Sequence, residues 1–95
     1  MITVWTDAAK QDRWEAMEYY IAKGAPEAAL ELDEQISSII ARLEQFPHSA
    51  RAGRIRGTRE AIVGHYILTY RILPDCLLIT HFVHGSMLYP PVRHA

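Results

Sequence analysis

Arg51, Arg54, Arg56 and Arg59 stand close together in the stretch ARAGRIRGTRE, and no other part of the chain concentrates positive charge so tightly. A guanidinium stays protonated at any physiological pH and offers a planar fork of donors that matches phosphate and carboxylate oxygens. Exposed arginines add little to folding, because surface ion pairs contribute roughly 0–1 kcal/mol each. The cluster therefore predicts a surface that meets something negative. Arg59 has a second reading, as a partner for an acid near Glu60 or on a helix. Arg71, in the tyrosine-rich run HYILTYRI, also has two: a member of the same surface, or an arginine bonded to carbonyls or a carboxylate within the fold. Further along, His84, Tyr89, Arg93 and His94 extend the set of candidate contacts. His84 with Tyr89 could serve as an acid/base pair, although no lysine follows Lys23 to assist it. His81 and His84 invite a metal ion, but residues three apart on a strand face opposite sides, so no metal site is expected. No cofactor is expected either. Cys76 has no fixed cation beside it in sequence and is expected to be inert.

The formal net charge of −1 conceals a division along the chain. Residues 1–47 carry four basic and nine acidic side chains, whereas residues 48–95 carry six arginines, two acids and all five histidines. An acidic half joined to a basic half places the partner surface on the basic one. Of the 95 residues, 49% are hydrophobic and 22% charged, which suits one globular domain over 1–95 and argues against disorder. No apolar run approaches the roughly 20 residues of a membrane span. The opening MITVWTDAAKQDRW lacks the layout of a signal peptide. With one cysteine no internal disulfide can form, and a reducing cytoplasm is the expected compartment.

The elements that must position these residues follow from periodicity. Ile2, Val4 and Trp5 make a short β-prone start, after which Thr6 or Asp7 can cap a helix. Trp14, Met17 and Ile21 fall on one face of that helix, and Gly24 stops it. Pro26 suits the first turn of a second helix, whose stripe Ala29, Leu32, Ile36, Ile39, Leu43 steps by three and four as a core seam. Lys23–Pro26 is too short for anything but an antiparallel helical hairpin. After the arginines the period becomes two: Ala61–Val63, then His65–Leu73, a Pro74-Asp75 turn, and Cys76–His84. Tyr66, Leu68, Tyr70 and Ile72 share one face, with Tyr66 and Tyr70 expected as core rings. The order predicts an α+β fold, β-α-α-β-β-β, with a mainly antiparallel sheet and an N-terminal helical hairpin packed on one face. The tail GSMLYPPVRHA should be irregular, since consecutive prolines forbid strand pairing.

In that frame the residues resemble a known family. Ala28-Ala29 through Ile36, then FPHSARAGRIRGTRE, HYILTYRI, Val83-His84-Gly85 and Tyr89-Pro90, together look like the RelE/ParE toxin superfamily, from Ile2 to Pro90. The specific part is Gly53–Glu60 with Tyr70-Arg71 and His84-Gly85. The resemblance implies the toxin half of a type II toxin–antitoxin pair, held in a toxin–antitoxin hetero-oligomer by a cognate ParD/RelB-like antitoxin. That antitoxin would lie against the helices, the basic sheet region or both, as a helix on the hairpin or a strand on a sheet edge, and operator DNA would be read only through it.

The superfamily holds two activities. RelE-like members cut messenger RNA on the ribosome, with lysines and arginines on the central strands and a tyrosine near the C-terminus. Here the strand position after the first tyrosine is Ile67, the loop Gly85-Ser86-Met87-Leu88 has no arginine, and only Tyr89 could match. These departures favour the ParE-like branch, which poisons DNA gyrase by binding. Arg51, Arg54, Arg56, Arg59 and Arg71, followed by His84, Tyr89, Arg93 and His94, would then form its contact surface. A RelE-like ribonuclease and a non-toxic scaffold for the antitoxin are the alternatives.

Overall fold

A computed structural model describes residues 1–86. The chain runs through β1 (Ile2–Trp5), α1 (Asp7–Ala22), α2 (Pro26–Gln45), β2 (Arg51–Ala52), β3 (Arg59–Val63), β4 (Tyr66–Ile72) and β5 (Cys76–His84). The expected order holds, with one addition: a two-residue strand, β2, precedes β3. The five strands form one sheet in the order β1-β5-β4-β3-β2. Only β1 pairs in parallel, against β5; the other pairings are antiparallel.

Local chemistry sets the helix boundaries. The Thr6 hydroxyl accepts the Ala9 N–H at 3.1 Å and caps α1. At its far end Gly24 adopts φ +73. Its N–H reaches the Ile21 carbonyl at 3.0 Å, while that of Ala25 reaches Tyr20 at 2.9 Å. This pair of bonds satisfies carbonyls that a helix end would otherwise leave bare. Pro26 then opens α2, where its missing N–H costs nothing.

The core lies between the hairpin and one sheet face. From α2 it takes Leu32, Ile36 and Leu43, and from the sheet Leu68, Tyr70, Leu77, Ile79 and Phe82. Each such side chain stabilises the fold by about 1.5–3 kcal/mol. The α2 seam is therefore core, as its spacing predicts. The α1 stripe behaves differently: Ala9 and Ala16 are the buried residues, while Trp14 and Ile21 stay more than half exposed. Small alanines let α1 approach β5 closely; Met17 and Tyr20 pack against the core's margin, and Trp14 and Ile21 face away.

An irregularity in β5 fixes which side chains meet the helices. Thr69 pairs with His81 but Tyr70 pairs with Ile79, so Thr80 is an extra residue on β5. Such a bulge shifts the alternation by one, and Ile79 and Phe82 both join the core although three apart. The Asp12 carboxylate accepts the Phe82 N–H at 3.1 Å, tying α1 to the strand just beyond the bulge.

Candidate functional site

Two glycines and a threonine build the loop that carries the arginines. Between β2 and β3, the Gly53 N–H donates to the Thr58 carbonyl at 2.8 Å, and the Thr58 N–H to Ile55 at 3.1 Å. The Thr58 hydroxyl donates to the same Ile55 carbonyl. A Cβ on Gly53 would sit 2.1 Å from the Thr58 Oγ1, so no larger residue fits there without a shift. Gly57 has φ +79, and a Cβ there would press on Arg71 Nη1 at 2.8 Å. Both glycines of GRIRG are thus demanded by geometry.

The loop is anchored by a carboxylate. Glu60, only 2% exposed, lies in β3 on the sheet face away from the helices. Its Oε1 accepts Arg51 Nη2 at 3.1 Å and its Oε2 accepts the Arg54 backbone N–H at 2.9 Å. The Arg54 Nε stands 3.9 Å from Oε1. Arg71 reaches the carbonyls of Gly57 and Arg56 at 3.5 and 3.4 Å, so the carbonyl-bonded reading of that residue applies. It forms a strut under the loop. Arg59 points to the helix side, where it donates to the carbonyls of Ala50 at 2.7 Å and His48 at 3.4 Å. Neither contact is the acid pairing weighed from sequence. The buried Tyr70 hydroxyl donates to the Pro47 carbonyl beside them, and burial raises its pKa.

These contacts divide the arginines. Arg51, Arg59 and Arg71 brace the loop, Arg54 is exposed but stands against Glu60, and Arg56 projects from the loop with its side chain exposed. The Arg56 guanidinium has no hydrogen-bond or acidic partner among the described residues. The result is a positively charged projection suited to meeting a negative surface.

His84 does not join this group. It pairs with Tyr66 across the strands, four residues or about 13 Å along the sheet from the Arg59–Tyr70 row, and on the helix-side face. Its ring stacks on His65 at 6.0 Å and meets Tyr66 edge-on at 5.3 Å. Its Nδ1 accepts the Ser86 N–H at 3.1 Å. His81 lies on the opposite face, in the row Arg51, Glu60, Thr69, His81. Tyr89, Arg93 and His94 lie outside the described residues. Cys76 is free and buried. Among the described residues no helix is long and apolar enough to cross a membrane.

Sequence reasoning missed two features. One is Glu60, whose burial no single-residue pattern discloses. The other is an apolar groove of about 640 Å³ between α1 and α2, lined by Trp5, Trp14, Met17, Ile21 and Leu30 among others. Trp14, Ile21 and Leu30 are each more than half exposed. Arg13 spans the groove wall, paired with Asp33 of α2 and placed 5.0 Å over the Trp5 ring. The Trp14-Met17-Ile21 stripe was the available signal.

With this geometry in hand, comparisons identify the class. Residues 3–89 match the family described as ParE toxin of type II toxin–antitoxin system, parDE. "Putative toxin Y4kP" of Sinorhizobium fredii is 34% identical over 90 residues, which cover 93% of this chain and 92% of that protein. Two solved structures share the fold. One, from the chromosomal ParDE TA system of P. aeruginosa, has a TM-score of 0.74 at 20% identity, covering 88% of this chain and 96% of its own. The other, a YoeB/ParE toxin from Agrobacterium tumefaciens, has a TM-score of 0.61 at 17% identity, covering 88% and 98%. The chain belongs to the ParE toxin family of type II toxin–antitoxin systems.

Proposed function

We propose that this ParE-family toxin acts by binding, with the Gly53–Thr58 loop as its grip on a DNA gyrase–DNA complex. The observation that carries this reading is the division of the arginines: Arg51, Arg54, Arg59 and Arg71 are engaged with Glu60 or with carbonyls of the loop and its flank, and Arg56 projects from the frame they build. A preformed charged projection loses little conformational entropy on contact and steers association with a negative target. His84 sits apart from the arginine loop, on the helix-side face, with its Nδ1 engaged by the Ser86 N–H. The test is a supercoiling and cleavage-complex assay with purified gyrase. Inhibition that weakens in Arg54→Ala/Arg56→Ala is the expected result; gyrase untouched at excess toxin would refute it.

The same reading assigns the α1–α2 groove to an antitoxin. An exposed apolar channel between two helices suits the apolar face of a third. Leu30→Glu should abolish capture of the antitoxin encoded beside the gene, without altering gyrase inhibition.

One observation favours the ribonuclease reading. His81, Thr69 and Glu60 share a cross-strand row beside Arg51, which puts an imidazole, a carboxylate and a guanidinium on one face. Ribosome-dependent cleavage of messenger RNA lost in His81→Ala would select this alternative.

A further inference from the structure

β1 ends the sheet with no strand on its outer side among the described residues. The Thr6 N–H donates to the Ile79 carbonyl of β5 at 3.0 Å, and successive residues of a strand turn their main-chain groups to opposite sides. Ile2 and Val4 therefore also face β5, whereas Thr3 and Trp5 turn N–H and C=O outward. Natural edges are commonly blunted by lysine, proline or a bulge. β1 reads ITVW and has none of these. Its side chains divide as well. Thr3 and Trp5 lie on the helix side, opposite the core residues Leu77 and Ile79, while Ile2 and Val4 stand on the other face at 66% and 42% exposure.

The two helices frame this edge with opposite charges. The Thr3 hydroxyl donates to the Glu44 carboxylate of α2 at 2.7 Å, and the Arg13 guanidinium of α1 lies 5.0 Å over the Trp5 ring. Glu44 has no ionic partner among the described residues. Arg13 meets Asp33 through one nitrogen and keeps its other donors. A carboxylate over Thr3 and a guanidinium over Trp5 thus stand two residues apart along one open strand.

We propose that β1 is a docking edge for β1 of a second copy of this chain, joined antiparallel about a two-fold axis through Val4. The outward groups of Thr3 and Trp5 can meet a copy of themselves in three registers, and charge chooses among them. Thr3 against Thr3 sets two Glu44 carboxylates together, and Trp5 against Trp5 sets two Arg13 guanidiniums together. Thr3 against Trp5 instead brings each Glu44 to the Arg13 of the other copy. Residues directly opposite on an antiparallel pair have Cβ atoms about 4.5–5.5 Å apart, within reach of those side chains. This register also makes four main-chain hydrogen bonds, and it sets Val4 against Val4 across the axis, covering exposed apolar surface. The other end of the sheet suits no such pairing, because β2 carries Arg51, with Arg54 and Arg56 just after it, and two copies would repel there.

Four residues a side is small beside the roughly 20–30 of a standard interface, so the association is weak and reversible. It joins two sheets into one of ten strands, with both helical hairpins on the same face. The two arginine loops then stand at its ends, nine strand spacings or about 40 Å apart, where a target with two-fold symmetry would engage both at once. The inference does not depend on what the loop grips.

The test is sedimentation velocity on the full toxin over rising concentration, with amide exchange across β1. The parent should pass from one copy to two, the Thr3 and Trp5 amides should slow as it does so, and added salt should weaken the dimer. Val4→Lys sets two ammonium groups together at the axis and should abolish the dimer. Glu44→Arg sets guanidinium against guanidinium and should weaken it about tenfold, in a form that salt now strengthens. Both variants change side chains outside the buried core and should melt like the parent. A toxin that stays monomeric to millimolar concentration, with Thr3 and Trp5 exchanging freely, would overturn the inference. A dimer that survives in Val4→Lys with the same β1 exchange would place the contact elsewhere and overturn it too, as would growth past two copies. Slowing only when the antitoxin is added would assign the edge to that partner, and slowing independent of concentration to another segment of the same chain; either result refutes the second copy.

Discussion

Replacing Glu60 by glutamine should loosen the basic loop more than any change at an exposed arginine. The carboxylate is 2% exposed and holds the loop through the Arg54 N–H at 2.9 Å and Arg51 Nη2 at 3.1 Å. A hydrogen bond to a charged group contributes about 1.5–3 kcal/mol. Arg51 is 55% exposed and rehydrates when released, so its share falls towards the ~0–1 kcal/mol of a surface pair. Glutamine keeps the shape and one acceptor for the Arg54 amide but loses the charge. The expected loss is about 2 kcal/mol, or roughly 8–16 °C in Tm for a chain of this length. Glu60→Ala, which also abandons the acceptor and leaves the Arg54 N–H without a partner, should cost about 1–3 kcal/mol more. Thermal melting gives the first readout and limited trypsin digestion the second, since a released loop exposes Arg54 and Arg56 to cleavage. A Glu60→Gln protein that melts within about 2 °C of the parent, and whose loop resists trypsin equally, would refute the claim that Glu60 anchors this surface.

Arg56→Ala should leave Tm unchanged within the ~0.5 kcal/mol typical of surface substitutions, yet weaken target inhibition and flatten its salt dependence. Parallel melting and gyrase titrations check both. Gly53→Ala should destabilise by about 1–3 kcal/mol, the usual cost of forcing a methyl into occupied space, because its Cβ would meet Thr58 Oγ1 at 2.1 Å; urea unfolding reads this directly. Burial, with Tyr20 beside it, pushes the Tyr66 pKa up to about 12. The folded state therefore keeps its proton where the unfolded chain loses it, and stability should be intact below pH 10 and fall as pH rises towards 12. Tyr66→Phe should remove part of that alkaline slope, measured as urea midpoint against pH.

The elements legible in the sequence are those whose signal is carried by many residues at once. The α2 stripe, the Gly24 stop and the Pro74-Asp75 hairpin each combine spacing with local backbone chemistry, and the structure follows them. The α1 stripe misled at Trp14 and Ile21, which are exposed. Of the visible apolar pattern Trp14, Met17 and Ile21, only Met17 packs against the core, while the fully buried positions are Ala9 and Ala16, whose side chains are too small to register. β2 escaped because two residues have no period. The Thr80 bulge escaped because strict alternation cannot place Ile79 and Phe82 on one face. The arginine cluster was legible as a cluster, but the separate roles within it were not. Arg59 turns to the helix side only because it pairs opposite Tyr70, and Glu60 to the other only because it pairs opposite Thr69. Those are facts of register, which sequence spacing does not contain.

That register also bears on how the surface works. If all five arginines projected, mutual repulsion and five mobile side chains would oppose binding, because each ordered side chain costs about 0.5–1.5 kcal/mol on association. The fold removes part of this cost beforehand. Arg71 is drawn against two loop carbonyls, Arg59 against two more, and Arg51 against Glu60. The bracing residues keep their charge, so they still add to the long-range field, while Arg56 is left exposed at the tip. The acidic side chains are segregated elsewhere: Glu15 and Glu18 on α1, and Glu27, Glu31 and Glu34 on α2, are all exposed. A molecule negative on its helices and positive at one loop meets a polyanionic target loop first and leaves the helices outward. The helical face carries the apolar groove, so an inhibitor bound there need not cover the arginines to stop the toxin. It need only obstruct the approach of something as large as a topoisomerase, and an antitoxin that binds the helices while leaving the Arg56 side chain open to a small guanidinium-selective reagent would fit this arrangement.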